Sequence, residues 1–187
     1  MVTLTDVDLI QLFRKNNLNQ DTLQEDAVSK LVQKGLTVAT AESCTGGLIS
    51  ERITRVSGSS EVFGCGVCSY ANEIKEKVLG VQHDTLTVLG AVSAETAIQM
   101  AEGVKKLSGA DIAVSTTGIA GPTGGTAEKP VGLVYMGVCT DSKTYAVKLM
   151  LGGAENRVNS RSYIRKLASD AALFTILSEC YAENTEE

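Results

Sequence analysis

The chain has 187 residues, a net charge of -5, 43% hydrophobic and 21% charged residues. That balance suits a packed globular protein and lacks the basic excess of a nucleic-acid binder. No apolar run approaches the roughly 18 residues of a membrane span, and no signal-peptide core opens the chain. Five cysteines without framework spacing read as reduced thiols. The expectation is one cytoplasmic domain over 1–187, with no nucleic-acid or membrane partner.

Residues 1–23 read as a helical N-terminal extension. Thr5 can cap a segment with Val7, Leu9, Ile10, Leu12 and Phe13 apolar, and Asp6 and Asp8 lie near its positive end. Asn16-Asn17-Leu18-Asn19 breaks that helix. A second starts at about Thr22, buries Leu23, Ala27, Val28, Leu31 and Val32 on one face, and stops at Gly35.

Residues 37–47, TVATAESCTGG, then read as a strand, a tight glycine turn and a helix start. Such a turn sets a small hydroxyl at the carboxyl edge of a sheet, beside unpaired N–H groups. Ser43 there is either a nucleophile or, with Thr45, a plain helix cap. The stretch by itself leaves both readings open.

Residues 62–70 form a glycine-interrupted strand. Cys65 and Cys68 are an odd number of residues apart and face opposite sides of it, which suits packing better than zinc or redox chemistry. A short helix, Asn72–Leu79, carries Glu73, Lys75, Glu76 and Lys77, a solvated face on charge alone. Ser93 caps a helix over Ala94–Leu107 that ends at Gly109. Residues 112–118 form a buried strand, followed by a glycine-rich loop over 118–126 that is too long for a simple connection and lacks P-loop or dinucleotide order. Strands at Gly132–Thr140 and Thr144–Leu151 meet at an Asp141-Ser142-Lys143 hairpin. A final helix runs from about Arg161 to Glu179, with Arg157, Arg161 and Arg165 four residues apart. The order of elements predicts an α/β fold, a three-layer α/β/α sandwich with a mixed, mostly parallel sheet.

The chain has one histidine, His83, so paired-histidine metal sites are excluded and a Ser-His-Asp triad would have to recruit it. A desolvated lysine is the alternative base for Ser43, but spacing does not choose among Lys75, Lys77 and Lys129. Cys44 competes with Ser43 as nucleophile, a thiolate being intrinsically stronger.

AESCTGG (41–47), SYANEIK (69–75), GAVS (90–93), TTGIAGPTGGTAEKPVG (116–132) and RSYIR (161–165) together resemble the CinA C-terminal domain family over roughly residues 24–180. Its stand-alone members include PncC-like nicotinamide-nucleotide amidases; its larger members carry a further N-terminal domain, whose activity is not implied here. The resemblance implies hydrolysis of the carboxamide of nicotinamide mononucleotide, a small-molecule nucleotide substrate, with no cofactor and no metal; the alternative is a non-enzymatic nucleotide-binding or interaction module of the same family. Carried over, the catalytic pair is Ser43 and Lys75. Backbone groups of Thr45, Gly46 and Gly47 would hold the oxyanion, and Tyr70 and Asn72 would position Lys75 or the substrate. Thr117, Gly118 and Ala120 would line the nucleotide pocket, with Arg161 near the phosphate. The family's Gly-Asp/Asn-Arg is Asn159-Ser160-Arg161 here, a departure that bears on Arg161. A homodimer is expected by base rate and family habit.

Overall fold

The computed structural model describes residues 1–152 and 161–182. Arg157 and the Asn159-Ser160 departure lie outside the described residues.

The first element corrects the helical reading of the N-terminus. Val2–Thr5 is a strand, β1, that joins the sheet, and α1 (Asp6–Lys15) follows it. Thr5 caps α1: its Oγ1 accepts from the Asp8 N–H, and the Asp8 carboxylate accepts from the Thr5 N–H. Leu9 and Phe13 on α1 are buried, so the segment belongs to the core. After α2 (Leu23–Lys34), Gly35 turns the chain in a left-handed conformation.

The sheet continues with β2 (Val38–Glu42), β3 (Phe63–Cys68), β4 (Ile112–Gly118), β5 (Leu133–Cys139) and β6 (Thr144–Met150). The remaining helices are α3 (Leu48–Thr54), α4 (Asn72–Leu79), α5 (Ala94–Ser108) and α6 (Arg161–Ala182). A π-helical turn at Thr85–Leu89 links α4 to α5. The strand order is β1-β6-β5-β4-β2-β3. The β1–β6, β2–β3 and β2–β4 pairs are parallel, and β4–β5 and β5–β6 are antiparallel.

Alternate residues of the strands feed two cores. Val38, Ile112, Val114, Val134 and Met136 pack with α1, α2, α3 and α6 on one face. Ala39, Ala41, Ala113 and Cys139 pack with Leu79 of α4 and Met100, Ala101 and Val104 of α5 on the other. Strands covered on both faces need no polar alternation, which is why VATAE is buried throughout. This is the three-layer α/β/α arrangement with a mixed, mostly parallel sheet.

The topology also places the site. From β2 the chain crosses by α3 to β3 on one side, then returns by α4 and α5 on the opposite face to β4 on the other side. Glu42 at the end of β2 pairs with Cys68 and Thr116, so three parallel strands finish at one edge. Crevices at such a reversal are where open α/β sheets bind ligands.

Candidate active site

Ser43 is the first residue beyond β2. Its N–H still donates to the Thr116 carbonyl at 2.9 Å, which fixes its backbone to the sheet. The chain then turns through Gly46 (φ +62) and Gly47 (φ +91), conformations that glycine adopts without strain. Beneath the turn lies the buried carboxylate of Glu42. Its Oε2 accepts from the N–H groups of Gly47 (3.0 Å) and Ile49 (3.1 Å). Its Oε1 accepts from the Ser50 N–H (2.8 Å) and hydroxyl (2.6 Å).

That carboxylate corrects part of the oxyanion expectation. The positive end of α3 is already occupied, so Gly47 has no N–H left for a substrate. The Gly46 N–H is turned back to the Ser43 carbonyl at 3.2 Å. Among the described residues, the amides of this turn without an oxygen acceptor are those of Cys44 and Thr45, which have only the weakly accepting Cys44 sulfur beside them. The Thr45 hydroxyl and Thr116 Oγ1 share a hydrogen bond at 2.7 Å in the protein interior. The Thr45 carbonyl takes a two-pronged contact from Arg165, at 3.1 Å from Nε and 2.6 Å from Nη2.

Lys75 departs from the solvated face read for its helix. It is 1% exposed, while Glu73 and Lys77 beside it face solvent. Its Nζ lies 3.2 Å from Ser43 Oγ, 2.8 Å from the Ser69 carbonyl and 3.4 Å from the Tyr70 carbonyl. No carboxylate pairs with it among the described residues. Burial therefore pushes its pKa below the usual lysine value, a shift opposed by the nearby Cys44 and Cys68 thiols.

The rival groups are elsewhere or inert. His83 is exposed and bonds through Nδ1 to Glu76 at 3.0 Å. Lys129 donates to the Leu89 carbonyl at 2.6 Å. Cys44 is buried, and desolvation pushes its thiol up to about 12, far from the thiolate a nucleophile needs.

Above Ser43 and Lys75 opens a pocket of about 200 Å³, also lined by Cys44, Tyr70, Ala91, Val92, Thr117, Gly118, Ala120 and Arg161. The Thr117 hydroxyl donates to the Ala91 carbonyl at 2.6 Å and fastens the 90–93 turn to β4. At the pocket's edge, Arg161 donates to the Gly121 carbonyl (3.2 Å) and to the exposed Tyr70 hydroxyl (3.0 Å), with no carboxylate partner among the described residues. The structure thus gathers Ser43, Lys75, Tyr70, Thr117, Gly118, Ala120 and Arg161 around one cavity. Asn72, the exposed first residue of α4, does not line it, and neither do Thr45, Gly46 and Gly47. Among the described residues no group of three or more His, Cys, Asp or Glu side chains is placed to hold a metal ion.

Four residues of this region were not singled out by sequence reasoning for what they do here. Glu42 carried a usable signal, a carboxylate just ahead of a glycine turn and a helix start. Arg165 gave only its spacing from Arg161. Ala91 and Val92 carry no chemical signal at all.

The CinA C-terminal domain profile matches residues 20–180. A protein of Thermoanaerobacter pseudethanolicus, provisionally named a competence-damage inducible protein, is 57% identical over 144 residues, 76% of this chain and 35% of its own length. A CinA-like protein of Kosmotoga olearia is 53% identical over 145 residues, 78% of this chain and 35% of its own length. The chain therefore spans about a third of the length of these curated relatives. Among solved structures, the competence/damage inducible protein CihA from Agrobacterium tumefaciens superposes with a TM-score of 0.80 at 41% identity, covering 85% of this chain and 94% of that one. A competence damage-inducible protein A from Klebsiella pneumoniae gives 0.80 at 29% identity, over 87% and 98% of the two chains. No helix among the described residues is long and apolar enough to cross a membrane.

Proposed function

The chain belongs to the CinA C-terminal domain family, and from that premise we propose that it is an amidohydrolase converting nicotinamide mononucleotide to nicotinate mononucleotide and ammonia. The observation that carries this reading is the set of partners around Lys75 Nζ. Two are carbonyl oxygens, which can only accept, and the third is the Ser43 hydroxyl, which can donate. A neutral amine has two N–H groups and one lone pair. Protonated, Lys75 can donate to all three oxygens; once neutral it keeps both carbonyls as acceptors and turns its lone pair to the Ser43 hydroxyl.

The chemistry follows from that arrangement. Lys75 takes the proton of Ser43 as Oγ attacks the carboxamide carbon. The resulting oxyanion meets the amide of Cys44, the one residue of the turn beyond Ser43 that lines the cavity. Protonated Lys75 then delivers its proton to the departing nitrogen, and ammonia leaves an ester on Ser43. Water, deprotonated by the now neutral Lys75, attacks that ester. The acyl–Oγ bond breaks as Lys75 returns that proton to Ser43, and the acid's own proton passes to ammonia, leaving the carboxylate and the Ser43 hydroxyl. Arg161, bound among the described residues only to neutral oxygens, can exchange the Tyr70 hydroxyl for a phosphate oxygen of the substrate.

An ammonia-release assay on nicotinamide mononucleotide, nicotinamide, nicotinamide riboside and NAD tests the proposal. The mononucleotide should be turned over best. Turnover of free nicotinamide alone would overturn the nucleotide assignment, and no release from any of the four would overturn the amidase.

A further inference from the structure

A second cavity, of about 340 Å³, lies between α2, α3 and α6 and shares no lining residue with the Ser43 pocket. Four cationic side chains line it: Arg52, Arg55, Arg165 and Lys166. They are unequally committed to protein partners. Arg52 is buried and held by Asp170 at 2.6 Å, with further bonds to Ser169 and Gln24. Arg55 pairs with Glu51 across one exposed helical turn, a contact that water and salt weaken. Lys166, half exposed, reaches Asp170 at 3.1 Å and Asp21 at 3.7 Å. Arg165 has no carboxylate partner among the described residues, and its Nη1 is not used in the contact with Thr45. Three of the four cations thus pair with three carboxylates (Glu51, Asp21 and Asp170), and two of those three carboxylates make only solvent-exposed pairs.

We propose that this cavity is a second, non-catalytic site that binds a phosphate group. The Arg55 guanidinium, the Nη1 of Arg165 not used on Thr45 and the Lys166 ammonium can donate to the oxygens of a phosphate, and the double charge of a phosphomonoester can replace the exposed pairs to Glu51 and Asp21. The cavity exceeds what one inorganic phosphate fills, so a small phosphorylated molecule fits it as well. Occupancy reaches the catalytic turn through Arg165. The guanidinium that would meet the ligand also holds the Thr45 carbonyl, two residues beyond Ser43. The site does not depend on the amidase reading, since it uses none of that pocket's residues.

The test is a backbone-amide NMR titration of the substrate-free protein with inorganic phosphate and with ribose 5-phosphate, each against sodium chloride at matched ionic strength. Saturable shifts are expected at Arg55, Ser162 and Lys166, with a linked shift at Gly46. Arg55→Ala should weaken binding roughly tenfold, the scale of one lost charge-assisted contact, and Lys166→Gln should act comparably. Arg161→Ala, in the other pocket, should leave these shifts in place. Equal affinity for the two probes assigns a site for the free ion, and tighter binding of the sugar phosphate assigns a phosphorylated metabolite. Shifts no larger than those with chloride would overturn the proposal. So would shifts that persist in both Arg55→Ala and Lys166→Gln but vanish in Arg161→Ala.

Discussion

Glu42→Gln is the substitution that most sharply probes how the nucleophile turn is held. The carboxylate accepts four hydrogen bonds, two on each oxygen. A glutamine amide keeps one accepting oxygen and presents an NH2 group where the other stood. With the NH2 turned toward Ser50, the Ser50 hydroxyl can rotate to accept from it, and the Ser50 N–H still loses its acceptor; the opposite orientation orphans both Gly47 and Ile49. Each orphaned buried donor costs about 1–3 kcal/mol, and loss of the charge at the α3 N-terminus adds about 0.5–2 kcal/mol. With one orphan and the lost charge, a sum of about 3 kcal/mol is a large share of the roughly 5–15 kcal/mol that holds a domain folded. Urea unfolding followed by circular dichroism should show a markedly lower midpoint with an unchanged slope. Ser50→Ala, which removes the 2.6 Å hydroxyl contact to Glu42 and the 2.8 Å contact to Thr40, should lose about 1–3 kcal/mol. A Glu42→Gln protein within about 0.5 kcal/mol of wild type, the scatter of ordinary surface changes, would refute this account of the turn.

Three further predictions rest on separate contacts. Gly103→Ala would set a Cβ 1.9 Å from the Leu79 carbonyl at the end of α4; displacing α4 by about 1 Å should cut kcat on the order of a hundredfold, and unchanged kcat would show that Lys75 placement tolerates the shift. The rate should rise with pH and level off once Lys75 is neutral, with a midpoint below the ordinary lysine value because burial disfavours the charged form; Lys75→Arg, which cannot lose its proton, should be nearly inactive, and a flat pH profile or an active arginine variant would remove the general-base role. Phe13→Ala takes away a buried ring packed edge-on against Phe174 at 5.6 Å; a loss of about 3–5 kcal/mol in chemical unfolding is expected, and a negligible loss would return the N-terminal segment to the status of a detachable extension.

The elements built from local signals were readable in advance. The β-branched run and paired glycines of TVATAESCTGG mark strand, turn and helix without help from the rest of the chain. Thr5 with Asp8, and Ser93 with Thr96, announce helix starts through contacts three residues long. What was not readable depends on distant partners. Val2–Thr5 is a strand only because Val147–Met150 offers it an edge. Lys75 looks like part of a charged helix face, and its burial arises because the 69–70 carbonyls and Ser43 converge on it from other segments. The oxyanion donors were misassigned for a similar reason. A helix N-terminus invites an anion, and here Glu42, five residues before Gly47, had already filled that place. Ser43 and Lys75 themselves were chosen by family resemblance, since spacing offered three lysines and a rival cysteine.

The central claim is a covalent step at Ser43, and peptide mapping of the acid-quenched enzyme during turnover of nicotinamide mononucleotide tests it most directly. The account predicts an ester-linked nicotinate mononucleotide on the peptide containing Ser43, absent in Ser43→Ala, which should release no ammonia. An adduct on Cys44 instead, or ammonia release by Ser43→Ala at a rate near that of wild type, would contradict it.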